Sequence, residues 1–218
     1  MSLLRLVNEG AGICIDSRMA KAGDIFFAIR GEHFDGNDFV AEALEKGCVL
    51  AVVDREPDKK NPAFLKTPDV LKTLQELSIG YRAQFDTPCI GITGSNGKTT
   101  TKELCREVLS KKFNLLATSG NLNNHIGVPL TLLSLKKHHN LALIEMGANH
   151  VGEIRELSHM ASPGFGLITN IGKAHLEGFG GYENVKRAKS ELYDHIRQNG
   201  GNIFVQGDND LLMGLSEG

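Results

Sequence analysis

Residues 93–100 read TGSNGKTT and follow a short run of small residues, CIGI at 89–92. This order predicts a buried strand that ends in a glycine-rich turn and opens into a helix. Such a turn presents backbone N–H groups to an anion, and the helix dipole reinforces them. Gly94 and Gly97 permit unusual backbone angles, whereas Lys98 can reach terminal phosphates. The Thr99 hydroxyl can coordinate a magnesium ion that bridges those phosphates.

We therefore predict that this segment binds the phosphates of ATP or another nucleoside triphosphate. The predicted ligand-binding residues are Thr93, Gly94, Ser95, Asn96, Gly97, Lys98, Thr99 and Thr100. The match to the pattern GxxxxGK[ST] is incomplete, because Ile92 stands where the first glycine is expected. A tight turn without a ligand would explain the glycines, but it would not explain the lysine and threonine in the first helical turn.

Polar side chains follow two other strand patterns. The apolar run Leu141–Ile144 stops at Glu145, and a strand near residues 166–169 leads into a loop that contains His175. Open parallel sheets bind ligands at the carboxyl ends of their strands, so Glu145 is a magnesium-ligand candidate. Glu145 could also be an ordinary strand-end carboxylate, and His175 could face the phosphates or be a surface or capping histidine. From the residues alone, Lys189 is interpreted as a structural lysine of a helix, in a position where lysines usually face solvent or snorkel towards it.

The surrounding elements predict an α/β protein with two domains. Residues 1–86 alternate short apolar runs with helical patterns, and Asp86-Thr87-Pro88 is the best boundary. Residues 87–218 then alternate strand and helix, which predicts a mostly parallel sheet covered by helices. The predicted fold is therefore a small N-terminal α/β domain followed by an incomplete P-loop ATPase domain.

Composition excludes several classes of function. The chain has 218 residues, a formal net charge of −2 and a pI near 6.4, so nothing favours nucleic acid or an acidic membrane surface as a partner. The four cysteines lie far apart, without a pattern typical of zinc sites or disulfide frameworks. No apolar stretch approaches the ~20 residues of a membrane helix. A cytoplasmic location is the default expectation.

Four segments in this order resemble the Mur ligase family, the ATP-dependent amide-forming enzymes of peptidoglycan precursor synthesis. They are TGSNGKTT, EMGANHVGEI, TNIGKAHLEGFG and RAKSELY. Three further segments, together with EMGANHVGEI, are most similar to the branch that adds D-Ala-D-Ala to UDP-MurNAc-tripeptide. They are DSR at 16–18, GDIFFAIRGEHFDGNDFV at 23–40 and GNLNNHIGVPLTLL at 120–133.

The resemblance implies a role for several residues of the second domain. Lys98 and Thr99 would hold ATP and Mg²⁺, whereas Glu145 and His175 would coordinate metal ions. In this family the lysine that matches Lys189 is typically carbamylated, and the resulting carboxylate-like group supports a second magnesium ion. Lys98, Lys189 and His175 are thus the implied catalytic residues, and Thr99, Glu145, His175 and Lys189 the implied metal site.

The first domain would bind the UDP-sugar substrate, with Asp16, Ser17 and Arg18 near the nucleotide. The loop 31–36 would lie close to the substrate, and its predicted substrate-binding residues are Gly31, His33, Asp35 and Gly36. Asn123, Asn124 and His125 would lie near the sugar or the peptide. The sequence leaves open whether Arg18 pairs with a pyrophosphate or stabilises a turn.

The implied mechanism forms an acyl phosphate on the terminal carboxylate of UDP-MurNAc-tripeptide, which the amine of D-Ala-D-Ala then attacks. The family continues beyond Gly218 into a C-terminal domain, so we expect a fragment with little activity alone. Two alternatives stay open. One is a MurE-like or folylpolyglutamate-synthase-like ligase, and the other is a non-catalytic UDP-sugar-binding module.

Overall fold

The computed structural model describes residues 2–55, 63–172 and 176–217. The chain divides into two compact units, Met1–Tyr81 and Arg82–Gly218. Each unit contains a parallel β-sheet with helices, which confirms the predicted α/β class. Over the described residues, no helix is both long enough and apolar enough to cross a bilayer.

The first unit is built on a four-stranded sheet of order β1-β2-β3-β4, in which every neighbouring pair is parallel. Its core combines the inward side chains of the sheet with α2, for example Phe26, Ala43 and Val53. Two short 3₁₀ helices, Ser17–Met19 and Gly36–Phe39, follow the ends of β1 and β2. The elements are α1 (Leu3–Asn8), β1 (Ile13–Cys14), β2 (Ile25–Phe27), α2 (Val40–Glu45), β3 (Leu50–Val53), β4 (Phe64–Lys66) and α3 (Val70–Arg82).

The second unit has a five-stranded parallel sheet of order β6-β7-β5-β8-β9. Strand β7, which lies between β6 and β5, is buried at all five positions, as expected for a sheet covered on both faces. The elements are β5 (Cys89–Thr93), α4 (Lys98–Leu109), β6 (Leu115–Ala117), α5 (Gly127–Leu133), β7 (Leu141–Glu145), α6 (Glu153–Ala161), β8 (Phe165–Ile168), α7 (Leu176–Phe179), α8 (Tyr182–Gln198), β9 (Asn202–Phe204) and α9 (Asp210–Glu217).

The strand order places the polar strand ends beside one another. From β5 the chain continues to β6 and β7 on one side and then to β8 and β9 on the other, so the direction of winding reverses next to β5. Ile92 pairs with Glu145, and Thr93 pairs with Ile168. This reversal is the position at which open α/β sheets bind ligands. The segment 93–100 therefore lies at the expected edge of the sheet.

Candidate nucleotide-binding site and substrate pocket

The turn between β5 and α4 depends on its two glycines. Gly94 has φ +145° and Gly97 has φ +76°, both in the region that favours glycine. A Cβ atom added to Gly94 would overlap Thr169 Oγ1, whereas one added to Gly97 would meet no atom within 4 Å. The first position thus requires glycine for its angle and for close approach, and the second for its angle alone.

The segment after β8 holds the turn in place. Thr169 Oγ1 and Asn170 Nδ2 donate to the Asn96 carbonyl at 2.7 and 2.9 Å. In return, Asn170 accepts from the backbone N–H groups of Ser95, at 2.9 Å, and Asn96, at 3.1 Å. Ser95 and Asn96 therefore use these N–H groups to shape the turn. The first-turn N–H groups of α4 have no acceptor within the helix, so they are the donors best suited to an anion.

Lys98 begins α4 and folds back over the turn. Its Nζ donates to the carbonyls of Gly94 at 2.7 Å and Ser95 at 3.1 Å. Burial lowers the pKa of Lys98, and the negative charge of Glu145 opposes that shift. An ammonium held within reach of a helix N-terminus suits the terminal phosphates of a nucleotide. Thr100 is exposed in the same first turn.

Glu145, at the end of β7, is fully buried. Its Oε1 accepts from Thr99 Oγ1 at 3.0 Å and from Asn123 Nδ2 at 2.7 Å. Its Oε2 is buried and receives no hydrogen bond from the residues that the structure describes. The Thr99 hydroxyl and the Oε1 side of the Glu145 carboxylate fit Mg²⁺, which prefers oxygen ligands.

The described part of the chain contains no group of three or more His, Cys, Asp or Glu side chains placed to hold a metal. This agrees with the way proteins hold Mg²⁺, usually through one or two carboxylates together with substrate phosphates and water. His175, another of the predicted metal ligands, lies outside the described residues.

Lys189 lies in α8 and is only 2% exposed, so the expectation that its side chain faces solvent or snorkels towards it is wrong. Its Nζ donates to the Ala148 carbonyl at 3.4 Å and lies 5.3 Å from the centre of the Phe179 ring. Burial and, secondarily, the positive charge of Lys98 lower the pKa of Lys189 to about 8. A lysine with such a pKa has an appreciable neutral fraction near neutral pH.

The first unit contains a cavity of about 510 Å³ beside the ends of β1 and β2. Four predicted substrate-binding residues line it, together with an apolar wall that sequence reasoning missed. The predicted residues are Asp16, Ser17, Arg18 and Gly36, and the others are Ile15, Phe26, Phe34, Phe39 and Glu42. Glu42 accepts a hydrogen bond from Ser17 Oγ at 2.7 Å, which links α2 to the pocket wall.

Arg18 pairs with Asp16 within its own turn. Arg18 Nη2 lies 2.7 Å from Asp16 Oδ2, and Asp16 also accepts from the Arg18 backbone N–H at 3.0 Å. These bonds with Arg18 lower the pKa of Asp16 to about 2. This contact stabilises the turn, and the pairing of Arg18 with a pyrophosphate stays a prediction.

The predicted loop 31–36 closes back on itself. The Gly31 N–H donates to the Phe34 carbonyl at 2.9 Å, and Asp35 Oδ1 accepts from the Asn37 N–H at 2.9 Å. These bonds leave His33 exposed near the tip of the loop. The loop thus presents Phe34 to the cavity, with Gly31 packed beneath the phenyl ring.

The residues of the Asn-Asn-His segment, 123–125, differ in their contacts. Asn123 is directed at Glu145, whereas Asn124 Oδ1 accepts from the N–H groups of Ile126 and Gly127 at 3.1 and 2.9 Å. Asn124 therefore caps the start of α5, and His125 is exposed. Asn170 and Lys102 are contributors that sequence reasoning missed. Asn170 could have been found as the polar residue directly after a strand.

Comparison with known protein families assigns both units to one family. Residues 10–79 match the "Mur ligase family, catalytic domain", and residues 92–217 match the "Mur ligase middle domain". The chain therefore belongs to the Mur ligase family.

Within that family, its similar relatives are named UDP-N-acetylmuramoyl-tripeptide--D-alanyl-D-alanine ligase. The relative from Bacillus subtilis is 39% identical over 93% of this chain and 44% of its own length. The one from Synechocystis sp. is 43% identical over 92% of this chain and 44% of its own length. The chain thus spans about half the length of the curated relatives it matches.

Two crystal structures have the same fold over nearly the whole chain. A structure of MurF from Acinetobacter baumannii is 40% identical, with a TM-score of 0.88 over 98% of this chain and 50% of that protein. A structure of MurF ligase from Thermotoga maritima in complex with ADP is 31% identical, with a TM-score of 0.88 over 100% of this chain and 49% of that protein.

Proposed function

We propose that this chain carries the substrate-binding and nucleotide-binding units of an ATP-dependent ligase that joins D-Ala-D-Ala to UDP-MurNAc-tripeptide. The names of its relatives support the substrates, and the ADP complex of a similar protein supports the nucleotide. The observation that carries the proposal is the meeting of Lys98, Thr99 and Glu145 at the start of α4, where the winding of the sheet reverses.

The proposed reaction has two steps. The carboxylate of the tripeptide attacks the γ-phosphorus of ATP, so a carbon-bound oxygen forms a new P–O bond and ADP leaves. The amine of D-Ala-D-Ala then attacks the acyl carbon, an amide bond forms, and phosphate leaves with its electron pair while the amine loses a proton. Neither step requires a protein nucleophile.

This chain's own residues would bind and orient the phosphates. The free N–H groups of the first turn of α4 and the Lys98 ammonium would stabilise the charge of the transferring phosphoryl group. Thr99 and Glu145 would hold Mg²⁺, with His175 as a further ligand. Bound Mg²⁺ would supply additional neutralisation of phosphate charge.

Lys189 is the proposed site of a carbamate. The neutral Nζ would attack the carbon of CO₂, an N–C bond would form, and one proton would pass to water. The product is an anion where a buried ammonium would repel a metal ion. Incubation with ¹³C-bicarbonate should give a carbamate signal in ¹³C NMR, and Lys189→Met should abolish it. A signal that persists in the variant would reject this site.

The cavity of the first unit is the proposed UDP site. Its apolar wall suits the planar base, whereas Asp16, Ser17 and Arg18 supply polar groups for the ribose and pyrophosphate. Gly31, His33, Asp35 and Gly36 would frame the entrance. The predicted contact of Asn123, Asn124 and His125 with the sugar or peptide also belongs to this proposal.

Calorimetric titration of the chain with MgADP and MgATP tests the nucleotide site. We expect Lys98→Ala to weaken binding at least tenfold, since it removes a charge-assisted contact worth about 1.5–3 kcal/mol. Lys111→Ala, an exposed lysine just beyond α4, is the matched control and should bind like the unchanged chain. Equal affinity of the Lys98 and Lys111 variants would contradict the assignment.

A further inference from the structure

Lys102 is a fully buried lysine that the proposed chemistry does not use. It lies in α4, one turn after Thr99, and its side chain has 0% exposure. Burying an ammonium is costly unless it is paired and hydrogen-bonded. A side chain such as methionine would fill a similar volume without that cost. A lysine at this position therefore indicates that its positive charge interacts favourably with neighbouring buried groups.

The Nζ atom of Lys102 has an acceptor for each of its three protons. It lies 2.8 Å from the Thr118 carbonyl, 3.2 Å from the Gly120 carbonyl and 2.8 Å from Glu103 Oε1. It also lies 3.8 Å from Glu145 Oε2, the oxygen that receives no hydrogen bond from the described residues. Lys102 thus connects α4, the turn after β6 and the carboxylate at the end of β7.

The turn that Lys102 anchors also leads back to Glu145. Thr118 Oγ1 accepts from the Glu145 N–H at 2.9 Å, and Asn123, three residues beyond Gly120, donates to Glu145 Oε1. Lys102 therefore acts on the carboxylate in two ways. It supplies a positive charge beside Oε2, and it fixes the segment that supplies an acceptor for the Glu145 N–H and a donor for Oε1.

Two carboxylates compete for the charge of Lys102, and burial decides between them. Glu103 is closer, but its side chain is 39% exposed and it also pairs with Arg106 at 2.8 Å. Water screens such a pair, so it contributes little. Glu145 has 0% exposure, so its interaction with Lys102 is much less screened.

We propose that Lys102 is a positioning residue for the metal-binding carboxylate, because it compensates the buried charge of Glu145 and anchors the 118–123 segment that orients it. This inference rests on the proposed function for the metal-binding role of Glu145. The pairing of Lys102 with Glu145 rests on the contacts alone.

A double-mutant cycle on unfolding tests the pairing without any nucleotide. Lys102→Met leaves the Glu145 charge buried and uncompensated, so we expect the melting temperature to fall by roughly 10 °C. In the Glu145→Gln background, Lys102→Met should lower the melting temperature by less than half as much. Glu103→Gln and Lys111→Met are the controls and should change the melting temperature by only a few degrees at most. Additive effects of the two substitutions would overturn the pairing.

The magnesium dependence of ADP affinity tests the positioning role. For each variant, the dissociation constant of ADP is measured in EDTA and in excess Mg²⁺. The first value divided by the second gives the factor by which Mg²⁺ strengthens ADP binding. We expect Lys102→Met to reduce this ratio about tenfold, which is typical of residues that orient metal ligands. Lys102→Met should cause no further loss in the Glu145→Gln background. A folded Lys102→Met chain that keeps the full ratio would overturn the role, since a merely structural lysine would not change it selectively.

The remaining outcomes also decide the question. If Lys102→Met does not fold, the proposal requires that its combination with Glu145→Gln does fold, because the uncompensated charge is gone. Failure of both chains to fold would reject the proposal. If the unchanged chain binds no MgADP, the proposed function fails, whereas the unfolding cycle still decides whether Lys102 compensates Glu145.

Discussion

The two proposed ligand sites of this chain are built in opposite ways. The nucleotide site depends on hydrogen bonds from side chains to the backbone of segments distant in sequence, such as Asn170 to Asn96 and Lys102 to Thr118. The cavity of the first unit instead presents an exposed pair of side chains that are neighbours in sequence, Arg18 and Asp16. The nucleotide site is therefore inseparable from the fold of the second unit. In the cavity of the first unit, by contrast, single side chains can change with little effect on folding.

The charged side chains of the two sites also differ in their burial. Glu145 and Lys102 have 0% exposure, whereas the side chain of Arg18 is 83% exposed. Buried charges are expensive and persist where something requires them, so they point to function. Exposed pairs contribute little to stability, but they remain free to rearrange around a ligand. Substitutions should therefore separate stability from binding in the first unit but not in the second.

The largest expected effect is at Gly94. Gly94→Ala places a side chain at φ +145° and against Thr169, so we expect a loss of about 3 kcal/mol or more in the free energy of unfolding. ADP binding should be lost as well, because the turn cannot keep its shape. Urea denaturation and calorimetry measure the two effects.

Gly97→Ala is the matched control within the same turn. Its added Cβ meets no atom within 4 Å, so only the backbone angle of +76° is unfavourable, at about 1 kcal/mol. If both variants lose equal stability, close approach at Gly94 is not what shapes the turn.

Much of the fold could be predicted because its signals are local. The run LALIE at 141–145 consists of four apolar residues followed by a carboxylate, and it forms β7 with Glu145 at its end. The glycines of TGSNGKTT, followed by Lys98, likewise predict a turn that opens a helix, and α4 begins at Lys98. These features depend on neighbours in the chain, so periodicity and turn chemistry reveal them.

Burial by distant segments could not be predicted in this way. Lys102 and Lys189 read as ordinary helical lysines, yet each is covered by segments from elsewhere in the chain, as the contacts with Thr118 and Ala148 show. Strand β4 was also missed, because its three residues, FLK, carry no clear alternation and gain their place only by pairing with β3. The aromatic wall of the cavity was missed because Phe34 and Phe39 flank polar turn residues.

Phe34→Ala tests whether a side chain of the first-unit cavity affects ligand binding without affecting stability. The phenyl ring lines the cavity but is 57% exposed, so its removal should change the free energy of unfolding by about 0.5 kcal/mol or less. If UDP binds there, its affinity should fall roughly threefold to tenfold, since aromatic contacts contribute about 0.5–1.5 kcal/mol. Phe204→Ala removes a similarly exposed ring, at 51%, from β9 and is the control for UDP titration. Equal UDP affinities for these two variants would place the base elsewhere.

The smallest expected effect is on the titration of Asp16. The Arg18 side chain, its backbone N–H and its charge hold the pKa of Asp16 at about 2, below the ordinary value of 3.8. Because the folded chain favours the charged carboxylate, any stability from this pair is present above pH ~4 and lost as the pH falls toward 2. Arg18→Ala should raise the pKa of Asp16 toward 3.8 in a ¹³C NMR titration of the carboxyl carbon.

The Arg18→Ala shift should be incomplete, because the backbone N–H of residue 18 still donates to Asp16. Asp35 provides the internal reference, since hydrogen bonds from Asn37 and the charges of Arg30 and Arg55 lower its pKa and none of these partners changes. An unchanged Asp16 pKa would mean that the guanidinium does not control this carboxylate in solution. Arg18 would then be free to reach a pyrophosphate, and the contrast between a fixed nucleotide turn and an adaptable substrate pocket would become stronger.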